Sequence, residues 1–187
     1  KQQIEIASPQ GEQSLFLLPL HDFLCARAIC LFNFYLYLCQ NIKIQSLKLP
    51  KTMKRIIAPS VLSADFGNLN RDMEMLNRSQ AEWVHVDVMD GVFVPNISFG
   101  FPLMKPLRKG TEKVLDVHLM ITAPEKYVER FVEAGADYVT FHYEATENIQ
   151  QCIDLIRKAG AKVGISINPG TQPAVLEEWL SQLDLIL

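Results

Sequence analysis

The sequence predicts an α/β protein built as a (β/α)8 TIM barrel, incomplete here, with about six of the eight strands inside its 187 residues. Three observations predict it. From Met53 onward, short β-rich runs alternate with amphipathic helical segments, the pattern of a parallel α/β architecture. The strand candidates start about 20 to 31 residues apart, room for one strand and one returning helix. Polar residues fall on one face and toward the C-terminal ends of several strands. That favours a barrel over an open doubly wound sheet, because barrel active sites lie on that rim.

In chain order, the strand candidates begin near Ile56 (IIAPSVL), Trp83 (WVHVDVM), Val114 (VLDVHLM), Tyr138 (YVTFHY), Lys162 (KVGISIN) and Leu183 (LDLIL). Helical segments are expected at 68–79, 124–134, 147–159 and 173–181, each with apolar residues at three or four spacing. Pro124, Glu125 and Pro173 suit first turns, where a missing N–H is harmless and a carboxylate meets the positive helix end. Gly135 and Gly160 stand where helices should stop. The phrases AGADYVTFH (134–142) and AGAKVGISI (159–167) write the same helix-stop-strand unit twice. Met73, Met75 and Met104 are expected to be core or helix packing rather than site residues.

Residues 1–52 differ in kind, with no Met and a 17-residue apolar stretch, FLCARAICLFNFYLYLC, from Phe23 to Cys39. That is short for a membrane span of about 20 residues, and it contains Arg27 and Asn33. It also lacks the basic start and small-residue exit of a signal peptide. The expectation is an extension that is not a native part of the fold, followed by one barrel domain over 53–187; an anchor or a docked helix are the competing readings. Cys25, Cys30, Cys39 and Cys152 show no paired CxxC spacing, so neither a disulfide framework nor a zinc knuckle is expected. Reduced thiols and the lack of a convincing signal point to a cytoplasmic protein, with plastid or other targeting left open. A net charge of −3 gives no basic surface for nucleic acid or an anionic membrane and leaves a small molecule as the expected partner.

The chemistry concentrates in HVDVMDGVFVPNISFG, residues 85–100. Side chains at i and i+2 of a strand share a face, so His85 and Asp87 point together into one interior while Val84, Val86 and Val88 pack on the other side. VLDVHLMI (114–121) repeats the arrangement with Asp116, His118 and Met120 against Leu115, Val117 and Leu119. Two such polar faces on neighbouring strands suggest a metal, and imidazoles with carboxylates suit Zn, Fe, Mn or Co without choosing among them. Asp90 reads as the former of an Asp-Gly turn. Asp116 either orients the His118 ring or caps its strand. His142 with Glu144 repeats the i, i+2 pattern; its default reading is a structural hydrogen bond, with an approach to substrate as the alternative. Pro95 and Asn96 shape the loop over the mouth of the site.

Taken together and in order, IIAPSVLSADF, HVDVMDGVFVPNISFG, DVHLMI, FHYEA and ISINPGT closely resemble the ribulose-phosphate 3-epimerase family over about residues 54–187. The resemblance implies a divalent-metal enzyme of the pentose phosphate pathway that interconverts D-ribulose 5-phosphate and D-xylulose 5-phosphate by inverting C3. It makes His85, Asp87 and His118 metal ligands, and Asp87 one of two catalytic acid–base carboxylates. It puts Ser60, His118, Met89 and Met120 around the substrate. It also implies a homo-oligomer when complete. The fourth ligand and second acid–base group is, in the family, an Asp of a VDGG-type motif on the seventh strand, which does not occur within these 187 residues. The Gly-rich loop after strand six and the later loops that hold the substrate phosphate are likewise not found here. Gly164, Pro169 and Gly170 form no phosphate fingerprint.

Two other readings accompany this one. A 3-epimerase of a six-carbon ketose phosphate would carry the same motifs. An inactive fragment would follow from the missing carboxylate and phosphate loops, with unpaired edges at strands one and six. Decarboxylase and aldolase relatives on similar barrels use an Asp-x-Lys-x-x-Asp run, and here His118 stands in place of the Lys.

Overall fold

The computed structural model describes residues 3–5 and 55–187. The apolar stretch 23–39, with Cys25, Cys30 and Cys39, lies outside the described residues. The strands are β1 (Gln3–Glu5), β2 (Arg55–Ile57), β3 (Trp83–Met89), β4 (Val114–Met120), β5 (Tyr138–His142), β6 (Lys162–Ser166) and β7 (Leu185–Ile186). β3 to β7 form one five-stranded parallel sheet in sequence order. Each neighbour pair is joined through a helical crossover, as parallel strands require. β2 and the residues after it run beside β3. Glu82 donates its N–H to the Ile57 carbonyl at 3.0 Å, His85 donates to Pro59 at 2.9 Å, and Ser60 bridges to His85. The six expected barrel strands are therefore present, side by side and in order.

The helices are α1 (Leu69–Arg78), α2 (Phe101–Gly110), α3 (Val128–Glu133) and α4 (Ile149–Lys158). They cover the outer face of the sheet, where Val84, Val86, Val88, Leu115, Val117, Leu119, Val139, Phe141, Val163 and Ile165 form the main core with Met73, Leu107, Phe131 and Ile153. In α4 the buried residues Ile149, Cys152, Ile153 and Ile156 follow the i, i+3, i+4, i+7 stripe of a helix packed on one side. Gly135 and Gly160 end α3 and α4 at φ of 110° and 97°, conformations that an L side chain resists. At Gly135 there is also no room, since a Cβ would come within 2.6 Å of the Arg108 chain. A smaller cluster of Ile56, Ala58, Trp83 and Leu185 packs separately from the main core.

Three expectations need correction. Residues 173–181 form not one helix but two 3-10 turns, Pro173–Leu176 and Leu180–Gln182. Their bonds close three residues back, as from Glu177 N–H to Ala174 at 3.1 Å and from Gln182 N–H to Trp179 at 2.8 Å. The tighter winding buries Leu176 over a short stretch. Helix α2 lies outside the helical segments named from sequence, and it carries Pro106 in its interior. An interior Pro costs about 3 kcal/mol; complete burial of Met104 and Leu107 returns about 1.5–3 kcal/mol each, enough to hold the helix. Finally, the first barrel strand does not have a bare outer edge. β1 pairs with β2 in parallel, with Gln3 opposite Arg55, Ile4 opposite Ile56 and Glu5 opposite Ile57. Among the described residues no helix is long and apolar enough to cross a membrane.

Candidate metal centre

Parallel register turns the sequence spacing into a layered interior. Asp87, His118, Thr140, Gly164 and Leu185 stand opposite one another across β3 to β7, with His85 opposite Asp116 one step below and Met89 opposite Met120 one step above. All of these inner positions on β3 and β4 alternate with the apolar outer ones. His85, Asp87, Asp116, His118, Thr140 and His142 are all buried, a concentration of polar groups that a packing core would not hold without mutual pairing.

The pairing is specific. The Asp87 Oδ1 lies 3.1 Å from His85 Nε2 and 3.1 Å from His118 Nδ1, so one carboxylate oxygen sits between two imidazoles. The two rings are 5.7 Å apart, centre to centre. One donor atom each from His85, Asp87 and His118 falls within 4.8 Å of the others. The second Asp87 oxygen accepts the Ser60 hydroxyl at 2.7 Å. The far side of His85 is tied to Asp116, Nδ1 to Oδ2 at 2.7 Å. Asp116 therefore orients His85; the expected partnership with His118 is not made. Its offset is one register step, which puts it opposite His85. The other side of His118 meets His142, Nε2 to Nε2 at 2.9 Å.

Electrostatics follow from this geometry. Burial presses the His85 imidazole toward its neutral form, but Asp116 and Asp87 outweigh it and lift the pKa to about 9. Burial likewise opposes charge on Asp87, yet hydrogen bonds from His118 and His85 hold its carboxyl far below the ordinary range. Asp87 is thus ionised at neutral pH. A cation in reach of the three donors would take over the role that imidazole protons play here. With Nδ1–H of His85 committed to Asp116, its Nε2 would offer that cation a lone pair, the carboxylate–histidine arrangement of metal sites. Two imidazole nitrogens and a carboxylate oxygen suit a first-row divalent ion such as Zn, Fe, Mn or Co.

A loop finishes the mouth. Asp90 accepts the N–H groups of Val92 and Phe93 at 2.9 Å each, and Gly91 turns at φ 76°. Its other oxygen takes the N–H of Thr122 at 2.8 Å, so the turn former also joins the rims of β3 and β4. Ser98 closes the loop: its hydroxyl donates to the Asp87 carbonyl at 2.7 Å and accepts from Met89 N–H at 3.0 Å. Ser98 was not singled out in the sequence, and only the return of the chain to β3 reveals it. Asn96 accepts the Ile97 N–H at 3.0 Å, in keeping with a loop-shaping part. Phe93 lies on the His142 ring, centres 4.8 Å apart.

This arrangement agrees with the sequence comparisons. The family model of the ribulose-phosphate 3-epimerases matches residues 56–187. The chain belongs to that family. A ribulose-phosphate 3-epimerase of Treponema pallidum (strain Nichols) is 50% identical over 131 residues, 70% of this chain and 60% of that protein. One from Rhodobacter capsulatus is 46% identical over 130 residues, 70% of this chain and 57% of its own length. The chloroplastic ribulose-5-phosphate-3-epimerase of Arabidopsis thaliana is 43% identical over 134 residues, 71% of this chain and 48% of that protein. The chain thus spans about three-fifths, or less, of the length of these relatives. The matched region begins at β2 and contains every site residue named above.

Proposed function

We propose that the protein containing this chain epimerises D-ribulose 5-phosphate to D-xylulose 5-phosphate at C3, using a divalent cation held by His85, Asp87 and His118. The supporting observation is the buried convergence of those three donors within 4.8 Å. The C3 proton is α to the C2 carbonyl, so its removal leaves negative charge on the substrate oxygens. A bound cation would supply Lewis-acid stabilisation of that charge.

The chain's own residues do the rest. Asp87, ionised and low in the pocket, takes or returns the C3 proton on one face of the substrate. The Ser60 hydroxyl on Oδ2 fixes the direction of that carboxylate, so Ser60 acts on both substrate contact and base orientation. Met89 and Met120, adjacent across the ladder one step nearer the mouth, line the space above the donors and keep water from it. Inversion needs a proton from the opposite face, and the second acid–base group belongs to the part of the family barrel beyond β7.

A coupled assay on the complete protein tests this. D-ribulose 5-phosphate should turn over, stop on chelation and resume with added divalent ion, and a six-carbon ketose phosphate should react at least about tenfold more slowly, the step equivalent to 1.4 kcal/mol. No turnover by the metal-loaded complete protein would end this reading.

A further inference from the structure

The two imidazoles of the centre differ in how their outward nitrogens are held. His85 is tied directly to a carboxylate, Asp116, at 2.7 Å. On the corresponding side His118 meets His142 at 2.9 Å, and the other nitrogen of His142 faces Glu144 Oε2 at 3.5 Å. The latter is an ion-pair distance rather than a hydrogen bond, and Glu144 is itself fixed by the Asn168 N–H at 2.8 Å and by the Thr171 hydroxyl. His142 is 7% exposed and is covered by Phe93, so no water need serve it.

We propose that His142 is a positioning residue: it holds His118 so that Nδ1 points at the cation, with Glu144 anchoring His142 from behind. This rests on the metal reading above and deepens it. The direction of the chain follows from the roles. A ligating Nδ1 must present its lone pair, so the proton of His118 lies on Nε2 and donates to His142 Nε2. His142 then carries its own proton on Nδ1, facing the Glu144 carboxylate. Glu144 is suited to that end. Burial opposes its charge, but His142, Thr171 and the Asn168 N–H draw its pKa down to about 2. The result is a carboxylate–histidine–histidine line on one side of the centre, matching the carboxylate–histidine line of Asp116 and His85 on the other. It also connects the centre to the 168–171 turn after β6, which Glu144 grips.

Cobalt(II) titration of this chain, followed by visible absorption, tests the proposal without recourse to activity. H142F should fold, since an aromatic ring fills the space, but bind Co(II) about 10–100-fold more weakly with an altered spectrum, the usual cost of losing an outer partner. H142Q, which keeps an acceptor for His118, should recover affinity to within a few-fold, and E144Q should weaken it only a few-fold because its amide still serves Asn168. If H142F binds as tightly as the parent with the same spectrum, or H142Q is no better than H142F, His142 has only a packing role and the proposal is overturned. Should H142F not fold, H142Q and E144Q carry the comparison, and losses as large in H142Q as in H118A overturn it equally. If the parent binds no Co(II), or H118A binds as well as the parent, both the metal reading and this one fall, an outcome distinct from loss of the His142 effect alone.

Discussion

On β4, Leu115, Val117 and Leu119 point outward into the helices while Asp116, His118 and Met120 point inward, and all six are buried. The same alternation runs through β5, with Val139 and Phe141 outward and Thr140 and His142 inward. Burial is equal on the two faces and chemistry is not. Outward side chains gain stability simply by leaving water, at about 1.5–3 kcal/mol each. Inward ones must be paired atom by atom to avoid a penalty, and some are not: Asp116 Oδ1 and Thr140 Oγ1 are buried without a hydrogen-bond partner. One face stabilises the fold, and the other spends part of that stability on a prearranged site.

The sharpest way to break this comparison is to cut into the outer face. Phe141→Ala removes a fully buried ring from the main core and should lower unfolding free energy by about 3–5 kcal/mol, read as the urea midpoint. A loss under about 1 kcal/mol would mean that the fold does not depend on that face as described. On the inner face the largest effects should appear in metal affinity instead. Asp116→Asn should weaken Co(II) binding by about 10–100-fold, and His118→Ala by more, with far-UV circular dichroism kept in both. Equal affinities across parent and variants would remove the centre.

The inner face also holds Gly164, whose missing Cβ leaves room for Thr140 on the neighbouring strand: a Cβ built there comes within 3.0 Å of Thr140 Cβ and closer still to its hydroxyl. Gly164→Ala should cost about 1–3 kcal/mol through overpacking. Thr140→Ala in the same chain should recover part of the loss, giving a nonzero coupling in a double-mutant cycle. The smallest effect concerns the rim. Burial opposes the charge of Asp90, but together the N–H groups of Thr122, Phe93 and Val92 outweigh it and draw its pKa from 3.8 to about 2. A depressed folded-state pKa stabilises above the unfolded value and stops doing so as pH falls through the folded one. Stability contributed by Asp90 should therefore be complete above about pH 4 and vanish toward pH 2, and Asp90→Asn should flatten that part of the pH–stability curve; an unchanged curve would remove Asp90 from the account.

Much of this was legible beforehand because period-2 spacing is a strong signal. His85 and Asp87 on one strand and His118 on the next could be assigned to one interior from sequence, and the structure brings their donor atoms together. Strand order and helix stops at Gly135 and Gly160 were legible for the same reason, each resting on a local steric rule. What depends on register between strands was not. Asp116 could be placed on the inner face, but not opposite His85 rather than beside His118 until the ladder was known. Ser98, nine positions after Met89, comes back to β3, and no local pattern marks such a return. Helix α2 was not among the segments named from sequence; Pro106 lies inside it, and the burial of Met104 and Leu107 offsets what that proline costs. Cys152 is a buried free thiol on α4, its pKa raised to about 12 by burial with help from Glu125.

The ladder across β3 to β7 is continuous, and along β3 and β4 inward polar or methionine positions alternate with outward aliphatic ones. Adding or deleting one residue within β4 would exchange Val117 and His118 between the faces, burying an imidazole among aliphatics and presenting a valine to the centre. Change in length can thus be absorbed only in the segments joining strands to helices. Descendants of this gene should differ in their strands by substitution alone, with every insertion confined to the connecting segments.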